Sequence, residues 1–571
     1  MKKTKNKLCF ISLALGVVVM LVGCGMTDDG SVIEDVNKEI TTTFFSDEVS
    51  SNEVNVFFLD IDNINSGTET ERTYQSNSST NVGSCDCYMI KVGNTEILVD
   101  CGYQTFASDA CTKEEAPYTF TYQYLKNNVH NNLLRKITSI CTDGTLDYLI
   151  VTHSDFDHIA SLCVEGGVVD SFVNHETIDN LENDKVTLNG ITNVIDFNSG
   201  VIALHSYSKI DKDKRLCRAL YQTYLAKMEK LIQSGTNYLP AAALFDSDVI
   251  AADGTSMTQK NKLLATPKNM LDDVNDYFSQ RILTENQPND AASEYVNEVP
   301  KNSSYLENVT KLGGQLQTES ERYYYSVNIG NGAELRILYN WYYDFAKRQS
   351  FIDNKKRAQP INNPSVCFEV VKNDFKFLSC GDMGGNGESG LLNYYKDTTV
   401  LKNVTLFKAS HHGSTTNNEN SEDLFECITP QIIVVTGCAQ SPMEIKNVQA
   451  AYMRQAFFDN IYNGIHDKNL NLVNDLTEEP YILCTNIDWF RSNESNNIPI
   501  NESKPFYGDI HVSSLESKVH LNYSYKGTIH AFIKTGSSDD TIDFKTVDGN
   551  KIIKIQDTEW FKKVGFVYEG N

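Results

Sequence analysis

Within six residues, His153-Ser154-Asp155-Phe156-Asp157-His158 offers four side chains able to bind metal, directly after the apolar run Leu146-Asp147-Tyr148-Leu149-Ile150-Val151-Thr152. Such a run reads as a buried strand. The ligand-type side chains therefore stand where a strand gives way to a loop, which is where open α/β sheets place their sites. Two further strand-like runs finish the same way, one in Ser379-Cys380-Gly381-Asp382 and one in Ser410-His411-His412-Gly413-Ser414. Only 11 histidines occur in 571 residues, and four of them fall in these two clusters, which random placement does not explain. The pattern requires sheets whose strand ends converge on one spot.

The N-terminus speaks to location. Lys2, Lys3, Lys5 and Lys7 precede residues 8–23, which carry no charge and run into Leu21-Val22-Gly23-Cys24. This is the form of a bacterial lipoprotein signal: residues 1–23 are removed and lipid is joined to the Cys24 thiol. The apolar part is shorter than the roughly 20 residues of a spanning helix. An extracytoplasmic protein, lipid-anchored to the bacterial cell membrane, is expected, each buried CH₂ contributing about 0.8 kcal/mol. Loss of four lysines and no acid leaves 46 basic against 75 acidic residues, taking the net charge from −25 to −29. Nucleic-acid affinity is dominated by phosphate neutralisation, so bulk nucleic-acid binding is not expected. Fourteen cysteines in a chain this long are too few for a disulfide framework. Cys85, Cys87, Cys101, Cys367 and Cys380 alternate with apolar residues and read as small buried side chains, with disulfides outside the cytoplasm left open and unpaired.

Residues 24–52 are polar and acidic and read as a tether. Glu53–Ile61 opens the folded body as a strand. Tyr88–Val92 and Glu96–Asp100 form a hairpin about Gly93-Asn94, and Tyr122–Ile137 reads as a helix. A polar stretch over 207–325 begins with a charged amphipathic helix, Lys212–Ser234, and is too long for a bare loop; it is read as an insertion or lid. Strand signals resume at Glu334–Leu338 and continue through Ser365–Val371, Phe375–Leu378, Val404–Lys408 and Gln431–Thr436. Helices are expected at Ser421–Ile428 and Lys446–Tyr462. The predicted divisions are 53–206 and 326–500 as two halves of one α/β body, with a β-rich C-terminal part over 501–571.

In these residues the chain resembles the metallo-β-lactamase superfamily, and within it the ComEC-type branch, the hydrolase domain of DNA-uptake proteins. The family pattern His-x-His-x-Asp-His stands in that branch as His-x-Asp-x-Asp-His, matched by His153, Asp155, Asp157 and His158. Phe58–Ile61 and Cys85-Asp86-Cys87 are similar to the family's opening strand and turn, and Ile97–Gly102 to the strand whose Asp supports the metal loop. Asn362–Val366, Phe377–Asp382 and Lys408–Ser414 are similar to the later motifs, in family order. The resemblance covers about residues 53–206 and 330–530. It implies an α/β fold, a metallo-β-lactamase-like αββα sandwich with a large insertion and a β-rich C-terminal extension.

Two divalent metal ions, Zn or Mn, are expected. His153 and Asp155 would bind one, Asp157, His158 and His411 the other, with Asp382 bridging. Asp157, Asp382 and His412 are the candidate catalytic residues, His412 facing substrate. Asp100 would accept a hydrogen bond from a ligating imidazole and fix its tautomer. A bridging hydroxide, available because coordination brings the pKa of water to about 7, would attack the scissile bond. Asp155 stands where the family has a second His, which favours hard-ligand metals such as Mn²⁺ while leaving Zn²⁺ in play. The family's isolated middle His has no clear equivalent, His205 being the candidate, and Ser441-Pro442 stands where His-Pro often occurs. Phosphodiesters, of nucleic acid or of small or cell-envelope molecules, are the implied substrates. A carboxylic ester or amide hydrolase, or a non-catalytic surface-binding lipoprotein, are the other readings.

Overall fold

The computed structural model describes residues 53–59, 85–103, 123–197, 212–245, 312–340, 362–438, 453–466 and 480–487, and the backbone of five strands between 506 and 546. The signal, the tether, Cys24, His205 and Ser441-Pro442 lie outside the described residues.

Two large sheets form the body. The first contains β1 (Val54–Phe58), β2 (Tyr88–Val92), β3 (Thr95–Val99), β4 (Thr145–Val151), β7 (Gly190–Asp196) and β8 (Asn237–Pro240), continued past β1 by β18 (Ile510–Leu515), β19 (Lys518–Tyr523), β20 (Ile529–Lys534) and β21 (Asp543–Thr546). The second runs from β9 (Gln315–Glu319) through β10 (Arg322–Asn328), β11 (Glu334–Leu338), β12 (Phe368–Lys372), β13 (Phe375–Ser379), β14 (Leu406–Lys408) and β15 (Ile432–Cys438) to β16 (Tyr481–Ile487) and β17 (Phe506–Tyr507). A small hairpin, β5 (Thr177–Asp179) with β6 (Lys185–Thr187), stands apart from both. Every residue of β1 is buried, as expected of a strand with neighbours on both edges and layers on both faces. Gly93 supplies the positive φ that the two-residue turn between β2 and β3 needs.

The sheets face each other. Phe377 of β13 sets its ring edge-on to Phe58 and to Tyr88 at 5.9 Å from each, and the Tyr88 hydroxyl meets the Ser379 Oγ at 2.6 Å. Helices cover the outer faces. Over the first sheet lie α1 (Gln123–Asn128), α2 (Leu134–Ile140), α3 (Phe156–Cys163), α4 (Val168–Val173) and α5 (Lys212–Gln233). Over the second lie α6 (Gly385–Tyr395), α7 (Glu422–Ile428) and α8 (Gln455–Ile465), fastened by aromatic contacts from Phe407 to Phe425 to Phe457. Lys227 and Lys230 of α5 both pair with Asp170 of α4. The architecture is an αββα sandwich.

Strands from 207–325 and from 501–571 join the large sheets. Within 207–325, α5 packs on α3 and α4, β8 pairs with β7, and β9 forms the edge of the second sheet. Likewise β18 pairs antiparallel with β1, so part of 501–571 continues the first sheet. Among the described residues no helix is long and apolar enough to cross a membrane.

Each sheet has a parallel segment, β3-β4-β7-β8 in one and β13-β14-β15-β16 in the other. Val99 lies opposite Ile150, and Ser379 opposite Lys408. The strand ends are therefore flush, and the turns that leave them meet between the layers.

Candidate metal centre

The chain leaves β4 at Val151, and Thr152 to Asp155 lead into α3, whose first turn carries Asp157 and His158. Asp155 takes the position before that helix, and its backbone carbonyl accepts from His158 N and Ile159 N, while its side chain makes no capping bond. Capping is the usual employment of an Asp there, so this carboxylate is left for other use. Half the loop is fixed from β3. Asp100, at φ 50, accepts from Thr152 N (2.8 Å), Thr152 Oγ1 (2.5 Å) and His158 Nδ1 (2.8 Å). With Nδ1–H donated to Asp100, His158 presents Nε2 as its lone-pair nitrogen. Gly102 allows the loop to sit this close, since a Cβ there would lie 1.6 Å from the Asp157 carbonyl oxygen.

The second sheet brings Asp382 across. Its Oδ2 lies 3.1 Å from His158 Nε2, 3.2 Å from His412 Nε2 and 4.0 Å from His153 Nε2. Asp157 stands 3.3 Å from His412 Nε2 and 4.0 Å from His158 Nε2, and Asp155 stands 3.9 Å from His153 Nε2. One ligand atom from each of Asp157, His158, Asp382 and His412 falls within 4.8 Å of the others. Asp155 is the most open of the group, its side chain 41% exposed, while His153, His158 and His412 are fully buried.

The histidine pair is divided by the fold. The sequence reading gives His411 to the metal and turns His412 to substrate, but it is His412 that joins the four-residue group. Both residues adopt left-handed backbone, at φ 47 and 52, and the tight turn they make sends the two rings different ways. The His412 ring goes inward, its Nδ1 donating to the Thr436 carbonyl at 2.7 Å. His411 stays at the rim, its side chain 19% exposed and its Nδ1 2.8 Å from Glu419 Oε1.

Two buried residues complete the centre without having stood among its candidates. Lys408, which sequence reading leaves as a strand residue, places Nζ 3.1 Å from Asp382 Oδ1 and in contact with Asp86. Asp86 in turn receives the Thr436 hydroxyl and approaches His412 Nδ1 at 3.4 Å and His158 Nδ1 at 3.7 Å. Thus one oxygen of Asp382 is spent on Lys408 and the other faces the imidazoles. The legible signal for Asp86 was a lone acid between Cys85 and Cys87 at the start of a buried strand.

Electrostatics follow from that crowding. Burial by itself would raise the Asp382 carboxyl, but His158, His412 and Lys408 hold it well below the usual carboxylate range. Burial opposes a charge on His412, yet Asp382 and Asp86 push it up to about 10, and Asp382, Asp86 and Asp100 likewise raise His158 well above an ordinary imidazole. His153, lowered by burial and by His158 beside it, is a neutral imidazole. The donor set fits a divalent cation: carboxylates and imidazoles converge, and His153 Nε2 is buried without a hydrogen bond among the described residues. Burying such a nitrogen without a partner is costly, and a cation would supply it.

Two outcomes are expected. First, metal binding displaces the proton on His412, whose value of about 10 lies above the ordinary 6.5. Its contribution to the metal-free fold is therefore complete below about pH 6.5 and lost as pH rises through about 10, while metal affinity rises over the same interval. Calorimetric titration in buffers of different ionisation enthalpy should detect protons released at neutral pH. Second, Asp100→Asn should lower metal affinity about 10–100-fold by disturbing the His158 tautomer, as read in a competition titration with a chromophoric chelator.

No family model matches the chain and no curated protein matches it. Among solved structures it is similar to the metallo-beta-lactamase fold protein YhfI from Bacillus subtilis, at 7% identity and a TM-score of 0.29, over 76% of this chain and 96% of that one. A likeness that slight adds nothing to the centre. The chain's own strand order and side-chain geometry carry the conclusion: an αββα sandwich holds a buried His/Asp cluster suited to metal where its two layers meet.

Proposed function

We propose that this protein is a metal-dependent hydrolase of phosphodiesters, anchored outside the cytoplasm by lipid on Cys24, with Zn²⁺ or Mn²⁺ as its cofactor. The observation that carries the reading is the convergence of Asp157, His158, Asp382 and His412, drawn from both sheets, on one point. His153 and Asp155 adjoin it through Asp382 and extend the donor set toward a second ion. Divalent ions so held supply Lewis-acid activation of water and of the phosphoryl oxygen. Asp382, held as a carboxylate and steadied by Lys408, presents one oxygen to the imidazoles around it. Glu419 and Asp382 outweigh burial and raise His411 above an ordinary imidazole; placed at the rim, it is suited to donate a proton to a leaving alkoxide.

Three carboxylates in the donor set favour oxygen-seeking metals, and the net charge of −29 without residues 1–23 favours a small or cell-envelope phosphodiester over polymeric nucleic acid. The test is hydrolysis by the full chain in detergent, metal-free and then supplied with Mn²⁺ or Zn²⁺. Bis(p-nitrophenyl) phosphate should be cleaved only with metal, and p-nitrophenyl acetate far more slowly. Preference for the carboxylic ester would transfer the reading to ester hydrolysis, and no turnover of either would leave a binding protein.

A further inference from the structure

Beside the ligand-bearing turns lie two matched pairs of cysteines. Cys87 and Cys101 are fully buried with their Sγ atoms 3.1 Å apart. They come opposite each other because Asp100, at φ 50, inserts an extra residue into the pairing of β2 with β3. Tyr88 stands opposite Val99, but beyond Asp100 the Gly102 N–H bonds the Asp86 carbonyl at 2.9 Å, which sets Cys101 against Cys87. The second sheet repeats the arrangement. There the register Phe368 to Ser379, carried one residue further, sets Cys367 against Cys380, both buried, with the Cys367 Sγ 3.9 Å from Met383 Sδ. Directly opposed residues of antiparallel strands have Cα atoms about 4.5–5.5 Å apart, inside the span of about 4.4–6.8 Å that a disulfide bridges. Asp86 and Asp100 flank the first pair, and Gly381-Asp382 come directly after the second.

We propose that Cys87 with Cys101, and Cys367 with Cys380, form disulfides as the chain folds, and that the two bonds clamp the turns carrying Asp86, Asp100 and Asp382. The inference rests on the proposed export, since such bonds persist in oxidising compartments; it does not rest on hydrolysis. The oxidant is an oxidised dithiol donor. A cysteine sulfur attacks one sulfur of the donor, and its partner then displaces the donor from the mixed disulfide. Each pair loses two protons and two electrons, and the donor, taking up both, leaves as its dithiol. Burial in the finished fold means that exchange precedes closure of the sheets.

The test uses the full chain in two preparations: one from membranes of an exporting bacterial host, the other refolded from the reduced state with oxidised glutathione. Both are denatured in excess iodoacetamide without reductant, digested and analysed by mass spectrometry. Cross-linked peptides joining 87 to 101 and 367 to 380 are expected in both. Alkylation of all four cysteines in both preparations would overturn the pairing itself. Bonds in the refolded chain with free thiols in the membrane-derived chain would overturn the proposal as a property of the cellular protein and locate the failure in the export reading. The clamp has its own readout: the oxidised refolded chain should release metal to a chelator about 10-fold more slowly than chain refolded in reductant, the scale on which outer partners tune a site. Equal release rates would overturn it.

Discussion

Asp382→Asn should leave a folded chain that has lost its metal, with affinity down by more than the 10–100-fold that an outer partner costs and hydrolysis lost with it. The reason is geometric. Asp382 Oδ2 is within 4.0 Å of three imidazole Nε2 atoms, so one oxygen serves the whole group. An amide is nearly the same size but neutral, and its NH₂ donates where a ligand must accept. The folded state should survive because the amide keeps the shape of the side chain and Lys408 keeps Asp86 as its partner. Elemental analysis after gel filtration, together with circular dichroism, separates loss of metal from loss of fold. Retention of wild-type metal content would mean that Asp382 is a turn residue only.

Lys408→Met should produce the largest loss of stability, about 3–5 kcal/mol, because it strands buried carboxylates whose partner has been deleted. Lys408 is fully buried and touches both Asp86 and Asp382, and its own ammonium is held far on the charged side by those two acids against the pull of burial. Adding Asp86→Asn to Lys408→Met should recover much of that loss, since the remaining charge is then balanced by histidine. Urea unfolding of the single and double variants measures the coupling. A loss under about 1 kcal/mol for the single variant would show that Lys408 is not the counter-charge.

Much of this arrangement was legible in the chain. The run before His153 announced a buried strand, and the clustering of histidines with acids at strand ends announced where the strands must meet. The Gly93-Asn94 hairpin was equally readable, because a two-residue turn admits few sequences. What escaped were facts of depth and direction. Lys408 comes after Leu406 and Phe407 in a short strand, and nothing local says that its long side chain ends on an acid 26 residues away. Adjacent histidines are chemically identical in sequence, and only the left-handed turn at 411 and 412 decides which ring faces inward. Membership of β8 and β18 in the large sheets depends on pairing across long separations, whereas β9 joins through a local hairpin with β10. The cysteine pairs required the bulge at Asp100 and the register of β12 with β13, neither of which spacing alone reveals.

Anomalous diffraction at the Mn or Zn edge from crystals of the metal-loaded protein tests the central claim most directly. An ion should lie about 2.0–2.5 Å from Asp382 Oδ2, with Asp157, His158 and His412 as its other protein ligands. Density that avoids Asp382, or an ion held by residues of one sheet alone, would contradict the account.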